Sequence, residues 1–127
     1  MKKKILLVDD HLEDAVLIKH ALTTAGCEHQ ITVANDGDAA FQLLESQPFD
    51  LLLLDINMPG VDGLTLLARF RKQVHHKIAV VILTGSNQMA HRSRAETLGA
   101  DDYVLKSTDY QAFKLSLVSS LTRLNFC

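Results

Sequence analysis

The sequence predicts an α/β fold: a (βα)5 chain forming a doubly wound, five-stranded parallel sheet of order 2-1-3-4-5. Three observations point there. Two apolar runs, at residues 51–54 and 78–83, are continuous rather than alternating, as expected of strands buried on both faces by flanking helices. Candidate strand ends fall near residues 9, 34, 55, 84 and 106, with spacings of 25, 21, 29 and 22. Each spacing holds one helix, one strand and two short loops. Strict alternation with right-handed crossovers leaves few topologies, and the order 2-1-3-4-5 is the common five-stranded one.

Strands are expected at 5–8, 31–34, 51–54, 78–83 and, in a short fifth run, 103–105. The first helix, at about 13–25, carries Val16, Leu17, Ala21 and Leu22 and stops at Gly26, the residue type favoured just past a helix end. The second, about 37–46, repeats Ala40, Phe41, Leu43 and Leu44 and ends before Pro48. The third starts at the Asp62-Gly63 pair, with Asp62 as N-cap and Leu64, Leu67 and Phe70 on one face. The fourth, about 87–98, is the least apolar, with Gln88, His91, Arg92, Arg94 and Glu96, so much of its surface faces water or a partner. The fifth runs from Thr108 or Asp109 to Arg123 and places Phe113, Leu117, Leu121 and Leu124 in one stripe against the sheet.

A chain of 127 residues is about 0.85 of a typical domain length, so a single domain spanning 1–127 with no output domain is expected. Thirteen Lys and Arg against 15 Asp and Glu give a formal charge of −2, which disfavours nonspecific binding to nucleic acid or an anionic membrane. The apolar run after the N-terminal lysines is only four residues long and then meets Asp9 and Asp10, too short for a signal-peptide core of about 7–15 residues. No run approaches the 18 or more apolar residues of a membrane span. Cys27 and Cys127 alone make no disulfide framework, so they are expected to be inert thiols of a protein in the reducing cytoplasm.

The polar residues with chemical potential all fall at the crevice that this topology creates, at the carboxyl ends of the strands. Asp9 and Asp10 follow the first strand, Asp55 the third, Thr84 the fourth and Lys106 the fifth. Carboxylates converging on one rim repel one another unless a cation neutralises them. Oxygen-only ligands with no nearby Cys or His favour Mg²⁺ over Zn²⁺, and Mg²⁺ uses one or two carboxylates, waters and a phosphoryl group. Lys106 and Thr84 are the groups that stabilise the equatorial oxygens of a transferred phosphoryl group. Asp55 is then the nucleophile, since a carboxylate accepts a phosphoryl group as an acyl phosphate. The six histidines show no HxxxH spacing, and His11, beside the acidic pair, is the one at the crevice mouth.

These residues sit in segments that resemble the CheY-like receiver domain of two-component response regulators, whose 2-1-3-4-5 order is itself a standard example of this flavodoxin-like arrangement. The resemblance covers essentially the whole chain and is carried by residues 5–10 (ILLVDD), 51–63 (LLLLDINMPGVDG), 81–85 (VILTG) and 99–106 (GADDYVLK). It implies that Asp55 is the phosphoacceptor, that Asp10, Asp55 and the backbone carbonyl of Asn57 hold Mg²⁺, and that Asp9 acts through a metal-bound water. It further implies that Thr84 and Lys106 bind the phosphoryl group, that Tyr103 is an aromatic switch that turns inward when Thr84 moves, and that Asn57 and Ser86 tune dephosphorylation. One position departs from the family: proline usually follows the equivalent of Lys106, commonly through a cis peptide, and here Ser107 does. A cis bond before serine costs about 2.5–4 kcal/mol, so either the loop is trans and differently shaped or the site tolerates strain.

The function so implied is a stand-alone phosphoacceptor regulator. It would take phosphate from the phosphohistidine of a sensor histidine kinase or a histidine phosphotransfer protein, and signal to a protein target through the face formed by helix 4, strand 5 and helix 5. A homodimer through the fourth and fifth elements is compatible with the sequence. The alternative is an adaptor that keeps the fold for binding alone, independent of phosphorylation. A phosphate-accepting hydrolase is poorly supported, because haloacid-dehalogenase-like enzymes place a general acid two residues after the nucleophile, where this chain has Asn57.

Overall fold

In the computed structural model, residues 3–27, 29–56, 63–73, 78–85 and 89–127 are described. Strands β1 (Lys4–Val8), β2 (Gln30–Ala34), β3 (Leu51–Asp55), β4 (Ala79–Thr84) and β5 (Asp102–Leu105) alternate with helices α1 (Leu12–Thr24), α2 (Gly37–Ser46), α3 (Gly63–Gln73), α4 (Met89–Thr97) and α5 (Tyr110–Arg123). All four pairings are parallel and the strand order is β2-β1-β3-β4-β5, as the alternation required. The N-cap expected at Asp62 lies outside the described residues.

The continuous apolar runs divide by parity. Leu6, Val8, Leu52, Leu54, Val80 and Ile82 face one layer, where α2 and α3 supply Phe41, Leu44, Leu64, Leu67 and Phe70. Ile5, Leu7, Leu51, Leu53, Val81 and Leu83 face the other, against Ala15, Ile18 and Leu22 of α1 and Phe113, Leu117 and Leu121 of α5. Side chains alternate across a strand, so a sheet covered on both faces needs apolar residues at every position. Truncating one such leucine to alanine costs about 2–5 kcal/mol.

The inward face of α1 is rotated from the expected one. Ala15, Ile18, Ala21 and Leu22 are buried, whereas Val16 and Leu17 are 58% and 45% exposed and join Leu12 on the outer surface. The steps 15, 18 and 22 follow the i, i+3, i+7 stripe, and Val16 and Leu17 fall off it.

Three helices end alike. At α1, α4 and α5 the residues Gly26, Gly99 and Asn125 have φ of 79°, 88° and 67°. The next residue's N–H returns to the helix in each case: Cys27 to Leu22 O, Ala100 to Ala95 O, and Phe126 to Leu121 O. This is the Schellman motif, which needs a left-handed residue. Helices α1 and α5 are neighbours on one face of the sheet. Their matching ends, joined by a bond between a His29 ring nitrogen and Phe126 O, bring Cys27 and Cys127 together with Cα atoms 5.1 Å apart, in a disulfide. The expectation of two inert thiols, on which the reducing compartment rested, is therefore corrected. A pairing 100 residues apart in sequence depends on how two helices end, which cysteine counting does not reveal.

Closing so long a loop restricts the unfolded chain, typically by about 2–5 kcal/mol. Urea unfolding of the oxidised protein is expected to show that much more stability than Cys127→Ser, and excess dithiothreitol should remove the difference; equal midpoints would show that the bridge does not constrain the chain.

Candidate functional site

The carboxyl ends of β1, β3, β4 and β5 form one rim, and backbone hydrogen bonds fix each group on it. The Asp9 N–H donates to Ala34 O at 3.0 Å and the Lys106 N–H to Thr84 O at 2.6 Å, extending the ladders one residue beyond the strands. Asp55 is the last residue of β3 and Thr84 the last of β4. Asp9, Asp55 and Thr84 are buried, at 1%, 2% and 0% exposure. Beneath them Gly63 opens α3 so close to the end of β3 that a Cβ there would lie 2.6 Å from Ile56 Cα and 2.7 Å from Asp55 O. Only glycine permits this approach, which backs the backbone that carries Asp55.

Lys106 organises the rim. Its ammonium donates to Asp9 Oδ2 at 2.8 Å, Asp14 Oδ2 at 3.0 Å and Asp55 Oδ2 at 3.2 Å. Burial alone would lower its pKa, but the Asp9 hydrogen bond, the Asp55 and Asp9 charges and the Asp14 hydrogen bond outweigh that and hold it well above the usual lysine range. Asp14, from the first turn of α1, is the participant that the sequence reading missed. The available signal was its place one turn beyond Asp10, where an acidic residue at a helix start points back to the same rim.

Ser107 leaves this geometry intact. No peptide among the described residues is cis, so the Lys106–Ser107 bond is trans. The Ser107 hydroxyl accepts the Asp109 N–H at 3.0 Å, and Asp109 caps α5 by accepting from Gln111 N and Ala112 N at 3.0 and 3.2 Å. The turn is thus closed by a side-chain hydrogen bond, with Lys106 still aimed at Asp55.

Asp10 completes an acidic cluster. Ligand atoms of Asp9, Asp10, His11 and Asp55 all lie within 4.8 Å of one another. Asp10 Oδ1 is buried with no hydrogen-bond donor. Three carboxylates share one ammonium and Asp10 adds a fourth beside them, and a buried oxygen without a hydrogen-bond donor is the kind of atom that a hard divalent cation satisfies. The residues therefore fit such an ion. Asn57 and Ser86 lie outside the described residues.

Tyr103 on β5 is partly buried and hydrogen-bonded to the Thr84 side chain; burial raises its hydroxyl pKa, partly offset by that bond and by Arg92. The Arg92 guanidinium of α4 stands 5.6 Å from the Tyr103 ring centroid. On α4, Arg92, Ser93, Arg94, Glu96 and Thr97 are exposed and Ala95 is buried, which gives the polar outer surface expected of this helix.

The response regulator receiver domain family matches residues 5–117. A probable chemotaxis protein CheY of Rhizobium etli is 35% identical over 117 residues, covering 91% of this chain and 90% of that protein. The Mn²⁺-bound form of response regulator Rcp1 superposes with a TM-score of 0.84 at 30% identity, over 98% of this chain and 94% of that one. The phosphorylated cyanobacterial phytochrome response regulator RcpA gives 0.84 at 28% identity, over 100% and 97%. The chain spans about half the length of several transcriptional regulators that it also matches, 51% and 52% in two cases.

A raised lysine pKa stabilises the fold fully below the ordinary value of 10.5 and is lost only as pH rises above it. Lys106→Met is therefore expected to lose up to about 3 kcal/mol in metal-free buffer, by the same amount at about pH 7.5 and about pH 9.5. A loss that shrinks between those pH values in urea unfolding would contradict the charge network.

Proposed function

Because the chain belongs to the response regulator receiver family, we propose that it is a phosphoacceptor switch in which Asp55 takes a phosphoryl group from a phosphohistidine donor. The observation that carries this reading is the buried Asp55 carboxylate with the Lys106 ammonium 3.2 Å from its Oδ2, at the rim that also holds Thr84. In the step proposed, an Asp55 oxygen bonds to phosphorus as the bond from phosphorus to the donor's imidazole nitrogen breaks. The nitrogen keeps the electron pair and takes up a proton. Lys106 and the Thr84 hydroxyl stabilise the equatorial oxygens, in a site already dry enough to make those contacts strong.

Asp10, Asp55 and the Asn57 carbonyl would hold Mg²⁺, with Asp9 acting through a water, and the ion would offset the charge of carboxylates and phosphoryl group together. The Mn²⁺ and phosphoryl group in the names of two similar structures support this assignment. Asn57 and Ser86 would tune dephosphorylation by shielding or positioning the attacking water.

The output follows from the Thr84–Tyr103 bond. A phosphoryl group that draws the Thr84 hydroxyl takes it from Tyr103, freeing the ring to move under Arg92 and changing the face of α4, β5 and α5 that a protein target reads. The donor is a sensor histidine kinase or a histidine phosphotransfer protein. Activity is that of a switch, which modifies itself and turns over no separate substrate.

Intact mass after incubation with acetyl phosphate and Mg²⁺ tests this reading. One adduct of about 80 Da is expected, absent without metal and absent in Asp55→Ala. No adduct, under conditions that label a control receiver, would favour the binding-only adaptor.

A further inference from the structure

We propose that His11 adds an imidazole nitrogen to the metal site, so that the rim binds Mn²⁺ and the later first-row divalent ions more tightly than its carboxylates alone would. The inference rests on the reading of Asp10 and Asp55 as metal ligands and concerns the class of ion that they take.

The N-cap of α1 is His11, a position where Ser, Thr, Asp and Asn are favoured because they satisfy a free helix N–H. His11 makes no such side-chain bond. Its backbone N–H instead donates to Asp9 Oδ1 at 2.9 Å, and this local turn directs the ring over the carboxylates. The Nδ1 atom lies 3.0 Å from Asp10 Oδ1 and 3.5 Å from Asp9 Oδ1.

The contact with Asp10 is at ion-pair distance, and Asp10 Oδ1 accepts no aligned hydrogen bond. Two ligand atoms in adjacent positions of an octahedron stand in this relation. With metal–ligand bonds of about 2.1 Å the adjacent ligands are about 3.0 Å apart, and each lies about 45° off the other's bond direction. The His11 ring nitrogen has that spacing from Asp10 Oδ1, and it lies within 4.8 Å of the ligand atoms of Asp9 and Asp55 as well. Imidazole suits Mn²⁺ poorly among transition ions but better than it suits Mg²⁺, and affinity rises along the series to Ni²⁺ and Cu²⁺.

The test uses the oxidised full chain, stripped of metal. Calorimetric titrations with Mg²⁺, Mn²⁺ and Ni²⁺ are compared for wild type, His11→Gln and Asp10→Asn. Electron–nuclear double resonance of the Mn²⁺ complex reads nitrogen ligation directly. His11→Gln is expected to weaken Ni²⁺ about 10–100-fold, Mn²⁺ less, and Mg²⁺ by under about threefold. A nitrogen coupling to Mn²⁺ should be present in wild type and lost in His11→Gln. Asp10→Asn should weaken all three ions. If Mg²⁺ binds and Asp10→Asn weakens it, yet His11→Gln leaves the metal preference and the Mn²⁺ spectrum unchanged, the His11 assignment alone is overturned. If no ion binds at the rim, or Asp10→Asn changes nothing, the metal reading falls and the inference falls with it.

Discussion

Several carboxylates cannot be gathered at one buried rim without a counter-charge, and the Lys106 ammonium supplies the internal one. Two unit charges about 4 Å apart interact by about 4 kcal/mol at the effective dielectric of a protein margin. Asp9, Asp14 and Asp55 all lie within 3.2 Å of one ammonium, so their mutual repulsion is offset only in part. Parallel strands explain how the groups come to meet. Every strand ends on the same side of the sheet, so the last residue of a strand or the one after it is enough to assemble a site from segments 97 residues apart. A parallel sheet in turn needs helices on both faces, and these need strands that are apolar at every position. The arrangement of charge thus depends on the continuous runs of β1, β3 and β4.

The same geometry shortens the route from the site to an outer surface. Thr84 belongs to the rim through its place at the end of β4 and touches Tyr103 of the neighbouring strand. Its carbonyl accepts the Lys106 N–H. Both groups proposed to bind a transferred phosphoryl group are therefore tied to β5, and Arg92 of α4 rests over the ring. Coupling across this distance needs one alternative arrangement of Thr84 and Tyr103 rather than a long chain of contacts.

Much of this was legible in the sequence, for reasons specific to each element. Strands β3 and β4 announced themselves by the continuous apolar runs at 51–54 and 78–83, and the end of α1 by Gly26 and the backbone conformation that a helix end demands. The residues after each strand could be read as a site because topology, once fixed, says where they meet. What escaped was whatever depends on rotation or on distant packing. The outward turn of Val16 and Leu17 hinges on a shift of about 100° per residue that apolar content does not specify. Asp14 went unread, because what marks it is its partner Lys106, one residue past β5. Cys27 and Cys127 became a pair only through the ends of two helices. Ser107, which left two loop shapes open, replaces the rigidity of proline with a hydrogen bond to Asp109, and the sequence alone did not say that Lys106 would keep its aim.

Helix α1 shows how these pieces bear on one another. Glu13 and Asp14 in its first turn suit the helix dipole and Gly26 closes its end, but His11 contributes no side-chain cap and its last turn carries no basic residue. Tertiary ties take their place. At the N-terminal end Lys106 bonds Asp14, and Asp9 bonds the His11 N–H; at the other end the Schellman turn leads into the disulfide with Cys127. Between them Ala15, Ile18 and Leu22 hold the helix to the sheet. A helix fixed at both ends by other elements keeps its first turn in register with the rim, so the placement of Asp14 and His11 follows from the fold as a whole. The N-terminal tie also runs through the charges of the site itself. Any change in charge at Asp55 must therefore be felt by Lys106, and through Asp14 by the start of α1, as well as by Thr84 and β5.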